Sequence, residues 1–229
     1  GGGLELMKKA YAKHKVLSFP GGNTGNQMGG WFRKEITSLE DLKGLKMRIP
    51  GFAGEVMAKL GLTVTNIAPG ELYTSLERGT IDALEWVGPG MDIKMGFHKI
   101  APFYYTGWHE PATELQFLVN ERSFKKLPKD LQQILLTAMK VSAYDMYIQN
   151  YDMSATAWSK IESDYPNIKI KTFPKEVMDA MKKANEELLV EKAQGNPLLK
   201  EVLDSQKAYQ KKARKWTEMS DYLYLKDNL

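Results

Sequence analysis

The 229-residue chain contains no cysteine, which excludes disulfide bonds, thiolate zinc sites and thiol catalysis. Histidine is scarce, since the chain has only His14, His98 and His109. These three are too scattered along the sequence to indicate a metal cluster, and we assign them structural or surface roles. Long apolar runs are also absent, because none approaches the roughly 20 residues that a transmembrane helix needs.

Neither sign of charge dominates the chain. Lysine and arginine number 32 against 28 aspartates and glutamates, a net charge of +4, and so small an excess argues against nucleic acid as the main partner. The lysine-rich stretch 207–215 alternates with glutamine and alanine, which favours a solvated helix face over a nucleic-acid patch. With 43% hydrophobic residues, the chain has enough apolar side chains for one large domain or two small ones.

The chain begins with Gly1-Gly2-Gly3-Leu4, without an initiator methionine, a basic leader or an apolar leader. The helical pattern from Leu4 onward has the look of a helix that starts inside a domain. We therefore expect the chain to be a fragment or a mature piece of a longer protein.

Strand and helix patterns alternate through the first half of the chain. Predicted strands cover 15–19, 45–49, 63–67, 81–86 and 113–119, and predicted helices cover 4–13, 38–44, 52–60 and 71–78. Short connections between alternating strands and helices predict an α/β fold around a largely parallel sheet. Between the first two strands, the segment 21–30 contains five glycines, which predicts a loop that approaches another group closely.

Helical patterns dominate from Pro128 almost to the end of the chain. The first of these helices has one mainly apolar face, formed by Leu131, Ile134, Leu135, Ala138 and Ser142. A second helix is predicted over 174–193, and a last amphipathic helix follows the break at Gly195-Asn196-Pro197. The sequence thus predicts an α/β region followed by a helical tail.

Signatures of catalysis are missing, and we predict no catalytic residue. The glycine segment lacks the Gly-Lys-Ser/Thr of a phosphate-binding loop, and no GxSxG motif presents a nucleophilic serine. His109-Glu110 is followed by Pro111 rather than by a second histidine four residues on, so a zinc-protease helix is excluded.

Arg48 is one of five arginines and lies inside the apolar strand 45–49, which Pro50 ends. The last side chains of such a strand reach the sheet edge at which α/β proteins bind their ligands. Arginine offers a rigid, permanently charged fork that matches a carboxylate. The alternative is a structural salt bridge to Asp41 or to another acid.

Two acids stand beside aromatic residues at turns. Glu85-Trp86 ends the strand 81–86, and Glu110 follows Trp108-His109. A buried acid is costly unless it meets a cation or a donor. Hard cations bind carboxylates together with amide oxygens, which Gln27 in the glycine segment could supply. The alternative is that both acids lie in ordinary surface loops, and their spacing alone does not decide.

Three motifs in order carry a resemblance to a known family: PGGNTGNQMGGWF at 20–32, LKGLKMR at 42–48 and GTIDALEW at 79–86. With them, the chain from about Leu4 to its C-terminus resembles the extracytoplasmic solute-binding proteins of TRAP (tripartite ATP-independent periplasmic) transporters. Within that family it is most similar to the binders of 2-oxoacids and lactate.

The resemblance implies a periplasmic-binding-protein-like, two-lobed α/β fold with a mostly parallel sheet and long C-terminal helices. Members of the family carry a signal peptide and a long further segment ahead of the position of Leu4, so the first lobe would be incomplete here. On this basis, residues 1–20 are the remnant of the N-terminal lobe and hinge. Residues 21–112 form the ligand-binding lobe, and residues 113–229 form a hinge strand and a helical region packing on both lobes.

The resemblance also implies the binding residues. Arg48 matches the arginine that forms a salt bridge with the ligand carboxylate, and Gln27, Trp86 and Asn23 are further ligand-binding candidates. The implied ligands of a bridging metal cation, sodium or calcium, are Gln27, Glu85, the backbone of Trp86 and Glu110.

The implied function is capture without catalysis. A periplasmic protein of this kind binds a small 2-oxo or 2-hydroxy monocarboxylate, such as pyruvate or lactate, and delivers it to the membrane subunits of the transporter. The C-terminal helices would hinge the lobes or mediate a homodimer. The alternatives are a metal-dependent lyase or hydrolase acting on 2-oxoacids, and a helical interaction module without a small-molecule site.

Overall fold

The computed structural model describes residues 2–229 of the chain. Its strands are β1 (Val16–Asn23), β2 (Gly30–Phe32), β3 (Lys46–Arg48), β4 (Thr63–Thr65), β5 (Ala83–Leu84), β6 (Phe103–Tyr105), β7 (Glu114–Asn120) and β8 (Lys169–Lys171). Its α-helices are α1 (Gly3–Tyr11), α2 (Gly51–Lys59), α3 (Leu72–Glu77), α4 (Pro89–Met95), α5 (Glu121–Lys126), α6 (Lys129–Asp164), α7 (Lys175–Ala193), α8 (Pro197–Thr217) and α9 (Leu223–Asn228). A π-helical turn, Glu218–Tyr222, connects the last two helices.

The central sheet has six strands in the order β4-β3-β5-β2-β6-β8. Three of its five pairings are parallel, and β2 is antiparallel to both of its neighbours. The predicted α/β fold with a mainly parallel sheet and long helices is therefore confirmed. The strands predicted at 45–49, 63–67 and 81–86 are present as the shorter β3, β4 and β5.

The side chains of the central strands alternate between two buried clusters. One cluster contains Phe32, Ala83 and Tyr105, and the other contains Trp31, Leu84 and Tyr104. Because both faces of the central strands are covered, β2 and β6 are short runs without a charged side chain on either face. They therefore escaped the sequence analysis, as did the short, mostly exposed strand β8.

The start of β2 depends on a glycine that the sequence analysis placed in a loop. Gly30 has φ of +116°, and a Cβ atom there would lie 2.5 Å from the carbonyl oxygen of Leu84 in β5. Any other residue at this position would be strained and would collide with the neighbouring strand. Gly30 is thus the first residue of a strand, whereas residues 24–29 lie outside the strands as a loop.

The first predicted strand continues past Pro20, where the sequence analysis ended it. β1 runs to Asn23 and pairs with β7 in a two-stranded sheet. In such a sheet one edge of each strand is unpaired in the described part of the chain, so a proline without an N–H group is tolerated. Gly21 permits the close approach, because a Cβ atom there would lie 2.9 Å from the backbone of Gln116.

The chain divides into two compact units. One contains the chain up to residue 19, residues 117–133 and residues from 189 onward; the other contains residues 20–116 and 134–188. The whole six-stranded sheet and every residue proposed for the binding site belong to the second unit.

The helix predicted from Pro128 is confirmed as α6, but its predicted apolar face is not its buried one. Ile134 is 61% exposed, whereas the buried residues of the helix are Met139, Asn150, Ala157 and Ile161. The predicted face therefore lies in solvent in this chain. Among the helices of residues 2–229, none combines the length and the apolarity needed to cross a bilayer.

The helix predicted at 38–44 is a single 3₁₀ turn, Glu40–Leu42. The carboxylate of Asp41 accepts hydrogen bonds from the backbone N–H groups and hydroxyls of Thr37 and Ser38. These bonds lower the pKa of Asp41 below its usual value. The acid therefore holds the turn, and the serine does not act as the predicted N-cap.

Asp92, in the unpredicted helix α4, connects the sheet to the turn that follows β5. Its Oδ2 accepts hydrogen bonds from Trp31 Nε1 at 3.0 Å and from the Tyr104 hydroxyl at 2.8 Å. Its Oδ1 accepts from the backbone N–H groups of Val87 at 3.1 Å and Gly88 at 3.0 Å. Complete burial raises the pKa of Asp92 to about 6 although these donors oppose the shift. The acid thereby fixes the segment that carries Glu85 and Trp86.

Replacing Asp92 by asparagine tests this connection. An amide has one acceptor oxygen, so two of the four buried donors lose their acceptor, each at about 1–3 kcal/mol. We expect Asp92→Asn to lower the free energy of unfolding by about 2–4 kcal/mol in urea titrations. The exposed Asp179→Asn variant is the control, with a change within about 0.5 kcal/mol. Equal stability of the two variants would contradict the role given to Asp92.

Candidate functional site

Arg48 and Glu85 lie at the same edge of the sheet. Arg48 ends β3 and is paired with Leu84 of the parallel strand β5, so Glu85 follows directly at the carboxyl end. Both residues are buried, with exposed fractions of 6% and 3%. This is the edge at which α/β sheets bind ligands, and the predicted placement of Arg48 agrees with the fold.

The guanidinium of Arg48 contacts the segment after β5. Its Nη1 donates a hydrogen bond to the backbone oxygen of Glu85 at 2.6 Å and lies 4.0 Å from the carboxylate Oε2. The latter distance is too long for a hydrogen bond. The guanidinium also stands 5.2 Å from the ring centre of Trp86. Of the alternative salt bridges, the one to Asp41 is wrong, because the described bonds of Asp41 go to its own turn. The one to another acid is present as the 4.0 Å ion pair with Glu85.

Three polar atoms of this cluster are buried without a hydrogen-bond partner in residues 2–229: Arg48 Nε, Glu85 Oε1 and Trp86 Nε1. Folded proteins rarely leave such atoms unpaired, because each costs free energy. Two of the three atoms are donors and one is a carboxylate acceptor. A bound anion would satisfy the donors, and a bound cation would satisfy the carboxylate.

The ionisation of Glu85 is opposed by its surroundings. Burial is the main cause that raises the pKa of Glu85 to about 8, the negative charges of Glu110 and Asp92 add to it, and Arg48 opposes it. A cation between the carboxylates of Glu85 and Glu110 would favour the ionised form. Glu85 is therefore not an ordinary surface-loop residue, whereas Glu110 lies in a loop with its side chain 39% exposed.

Gln27 is buried and is held next to Glu110. Its amide nitrogen donates to the hydroxyls of Thr24 at 3.0 Å and Thr113 at 2.8 Å. Its backbone N–H donates to the carbonyl oxygen of Glu110 at 2.9 Å, and the Thr113 hydroxyl donates to the Glu110 carboxylate. Because the amide nitrogen is occupied, the amide oxygen is the atom that remains for a cation.

The sequence analysis predicted that the glycine segment approaches another group closely, and in the structure that group is the loop that contains Thr106 and Gly107. A Cβ atom on Gly29 would lie 2.5 Å from the backbone oxygen of Thr106, and one on Gly107 would collide with the backbone oxygen of Gln27. Glycine at both positions thus allows two backbones to pack directly. This packing brings Gln27 and Glu110 together although 83 residues separate them in sequence.

Asn23 is engaged by its own loop. Its side-chain oxygen accepts a hydrogen bond from the backbone N–H of Gly25 at 2.7 Å, as in an Asx turn. None of the contacts described for residues 2–229 joins it to Arg48 or Glu85. A ligand-binding role for Asn23 stays a prediction.

His109 is the residue that sequence reasoning missed. We assigned it a structural or surface role, yet ligand atoms of Glu85, His109 and Glu110 all lie within 4.8 Å of one another. Its side chain is 6% exposed, and neither ring nitrogen has a hydrogen-bond partner in the described chain. The only signal in the sequence was its place beside Glu110, because the partner Glu85 is 24 residues away.

Comparison with known proteins assigns the family. Residues 2–195 match the family described as bacterial extracellular solute-binding protein, family 7. The chain belongs to this family. The resemblance to TRAP solute-binding proteins found in the sequence is thereby confirmed, and the family is one of binding proteins rather than catalysts.

Relatives of this family 7 protein include a monocarboxylate 2-oxoacid-binding periplasmic protein of Nostoc sp. strain PCC 7120. It is 42% identical over 225 residues, which are 98% of this chain and 61% of the relative. The chain therefore spans less than two thirds of that relative's length.

Two crystal structures of TRAP periplasmic solute-binding proteins match the fold closely. The protein from Colwellia psychrerythraea, with bound calcium and pyruvate, has a TM-score of 0.97 and 62% identity over 99% of this chain and 69% of its own. The protein from Pseudoalteromonas atlantica, with bound sodium and pyruvate, has a TM-score of 0.95 and 61% identity with the same coverage. Both relatives hold a cation together with pyruvate.

The residues of this chain fit such a cation. Glu85 has a buried oxygen without a hydrogen-bond partner in residues 2–229, a second carboxylate lies close by, and the amide oxygen of Gln27 is available beside Glu110. Carboxylate and amide oxygens are the ligands that hard cations such as calcium prefer.

The raised pKa of Glu85 predicts that the free energy of unfolding depends on pH. Without metal, the folded chain keeps the Glu85 proton up to about pH 8, whereas the unfolded chain releases it near its usual value of 4.5. The free energy of unfolding should therefore fall for the wild type relative to Glu85→Gln as the pH rises through this window, by at most about 1.4 kcal/mol per pH unit.

Urea titrations in the presence of EDTA, at about pH 5 and about pH 8, measure this difference. Glu85→Gln should gain stability over the wild type at the higher pH. Parallel pH dependence of the two proteins would contradict the raised pKa.

Proposed function

We propose that this chain carries the ligand site of the solute-binding component of a TRAP-type secondary transporter. It captures a small 2-oxo or 2-hydroxy monocarboxylate, of the size of pyruvate or lactate, together with a metal cation. The observation that carries the proposal is the buried guanidinium of Arg48 beside the carboxylates of Glu85 and Glu110 at the ligand-binding edge of the sheet. The pyruvate bound to the two structural relatives supports the substrate class.

Arg48 binds the carboxylate of the ligand. Its Nη1 is fixed by the backbone of Glu85, and its buried Nε has no partner in residues 2–229, so a donor edge is left for an anion. Each charge-assisted hydrogen bond contributes about 1.5–3 kcal/mol. Two or three of them contribute about 3–9 kcal/mol before the cost of ordering and desolvation is subtracted, so the arginine needs the cation as a second source of attraction.

Trp86 orients this guanidinium and lines the site. Its ring lies 5.2 Å from the guanidinium carbon, a cation–π distance. Its indole N–H is buried without a partner in the described residues and is a second donor for a ligand oxygen. A rigid aromatic wall beside the arginine favours a small ligand over a long one.

A sodium or calcium ion occupies the acidic side of the site. The residues that would hold it are Glu85, Glu110, the amide oxygen of Gln27 and the backbone of Trp86. When bound, the ion attracts the carboxylate and 2-oxo or 2-hydroxy oxygens of the ligand. Glu85 and Glu110 supply the negative charge that holds the ion, and Thr113 fixes the Glu110 carboxylate through its hydroxyl.

The complete protein acts in the periplasm and passes its ligand to membrane subunits without chemical conversion. We assign residues 21–112 to the ligand-binding lobe, 1–20 to the remnant of the other lobe and hinge, and 113–229 to the hinge strand and helical region. The C-terminal helix is the candidate homodimer surface. Exposed aromatic side chains support this assignment, because Tyr209 and Trp216 are 58% and 72% exposed.

Binding of pyruvate to Arg48 variants tests the proposed function. In isothermal titration calorimetry with calcium present, we expect Arg48→Lys to weaken pyruvate binding by roughly 30-fold or more, because lysine keeps the charge but loses the planar fork. Arg78→Lys, an exposed arginine of the same unit, should bind like the wild type. Equal pyruvate affinity of both variants would contradict the assignment of Arg48, and consumption of pyruvate would favour a lyase.

Removal of the cation tests the acidic side of the site. After exhaustive dialysis against EDTA in a sodium-free buffer, we expect the pyruvate affinity to fall by roughly 10-fold or more, because no ion then attracts the carboxylate and 2-oxo oxygens of the ligand. Added calcium or sodium should restore the affinity in the wild type but not in Glu85→Gln. An affinity that is the same with and without both cations would show that no cation bridges protein and ligand.

A further inference from the structure

His109 has the surroundings of a metal ligand rather than of a structural histidine. Its side chain is buried, with an exposed fraction of 6%, and both of its ring nitrogens lack hydrogen-bond partners within residues 2–229. A buried structural imidazole normally donates from one nitrogen and accepts at the other. Two unpaired nitrogens in one buried ring leave both of them available to a further partner.

The carboxylates of Glu85 and Glu110 surround this ring. One ligand atom from each of the three residues lies within 4.8 Å of the others. Two ligands of one tetrahedral zinc-like ion, each about 2.0–2.3 Å from it, lie about 3.3–3.8 Å apart. Side-chain movements of about 1 Å would therefore place all three groups on a single ion.

An ion pair with Glu110 does not account for this arrangement. His109 Nε2 is 3.8 Å from Glu110 Oε1, which is beyond hydrogen-bond distance. In its neutral form an imidazole has one nitrogen with a free lone pair, and this is the form that binds metals.

The ring is also held in place. The indole of Trp108 packs against it with ring centres 4.4 Å apart and an interplanar angle of 33°. The backbone of the next residue is fixed by the hydrogen bond from Gln27 N–H to the carbonyl oxygen of Glu110. A pre-oriented ligand loses little entropy when a metal binds.

We propose that His109 supplies an imidazole nitrogen to the cation held by Glu85 and Glu110. The site then accepts a divalent transition cation of the zinc and cobalt class in addition to sodium and calcium. Imidazole suits these borderline metals, whereas calcium and sodium take oxygen ligands. The inference rests on the proposed cation site and deepens it, because it names the residue that sets which metals enter.

His98 provides a matched control within the same unit. Both of its ring nitrogens are also buried without a partner in the described chain, and its ring packs against Tyr165 at 4.4 Å. No group of three potential metal ligands in residues 2–229 includes it. A comparison of His109→Gln with His98→Gln therefore separates metal binding from the loss of a buried imidazole.

The test is a titration of the full chain with zinc and, separately, with calcium, followed by calorimetry. For His109→Gln we expect the zinc affinity to fall by roughly 10-fold or more and the calcium affinity to change by less than about 3-fold. His98→Gln should match the wild type with both metals. Zinc and calcium affinities that fall together, or that do not change, would overturn the proposal.

A second measurement observes the wild-type chain and decides the case if His109→Gln fails to fold. With ¹⁵N-labelled histidine, the wild-type chain gives ring signals from three residues, and His14→Gln and His98→Gln assign them because each removes one residue's signals. Zinc should move the His109 ring-nitrogen signals and leave those of His14 and His98 in place. Movement of no histidine signal at a saturating zinc concentration would overturn the proposal.

These outcomes are separate from those of the proposed function. If pyruvate binding with calcium depends on Arg48 while the zinc affinity does not depend on His109, only the present inference fails. If zinc binds through His109 while pyruvate does not bind, the carboxylate-binding function fails and the metal assignment remains.

Discussion

The burial of opposite charges at one sheet edge governs the organisation of this site. Arg48 and Glu85 are delivered side by side by two parallel strands, and both lose most of their contact with water. Their mutual distance of 4.0 Å is too great for a hydrogen bond, so neither fully satisfies the other. The fold therefore keeps two buried and incompletely paired groups, which costs free energy. A bound anion would complete the contacts of Arg48, and a bound cation would complete those of Glu85.

The sequence predicted the part of the site that strand geometry controls. Arg48 could be placed at the sheet edge because Pro50 ends its strand, and Glu85 because it follows the next parallel strand. The partnership of Gln27 with Glu110 came from family resemblance, since it depends on two glycine loops whose backbones touch only in the folded chain. His109 escaped prediction for the same reason, because its second acid, Glu85, is distant in sequence.

The fold shows a similar limit. The α/β class follows from alternating strand and helix patterns, and the apolar residues of long helices such as α6 recur at helical spacing. The strands β2, β6 and β8 have three residues each, too few for a local pattern to reveal them. Most side chains of β2 and β6 are buried on both faces of the sheet, so these two strands show no alternation of polar and apolar residues either. The predicted apolar face of α6 is exposed, which shows that the helical spacing of apolar residues predicts the helix but does not predict which of its faces is buried.

The most direct test of the central claim is a crystal structure of this chain grown with calcium and pyruvate. The account predicts that Arg48 donates hydrogen bonds to the pyruvate carboxylate, while oxygens of Glu85 and Glu110 and of the same pyruvate molecule bind one calcium ion. A structure in which pyruvate binds away from Arg48, or in which calcium binds without Glu85, would contradict it.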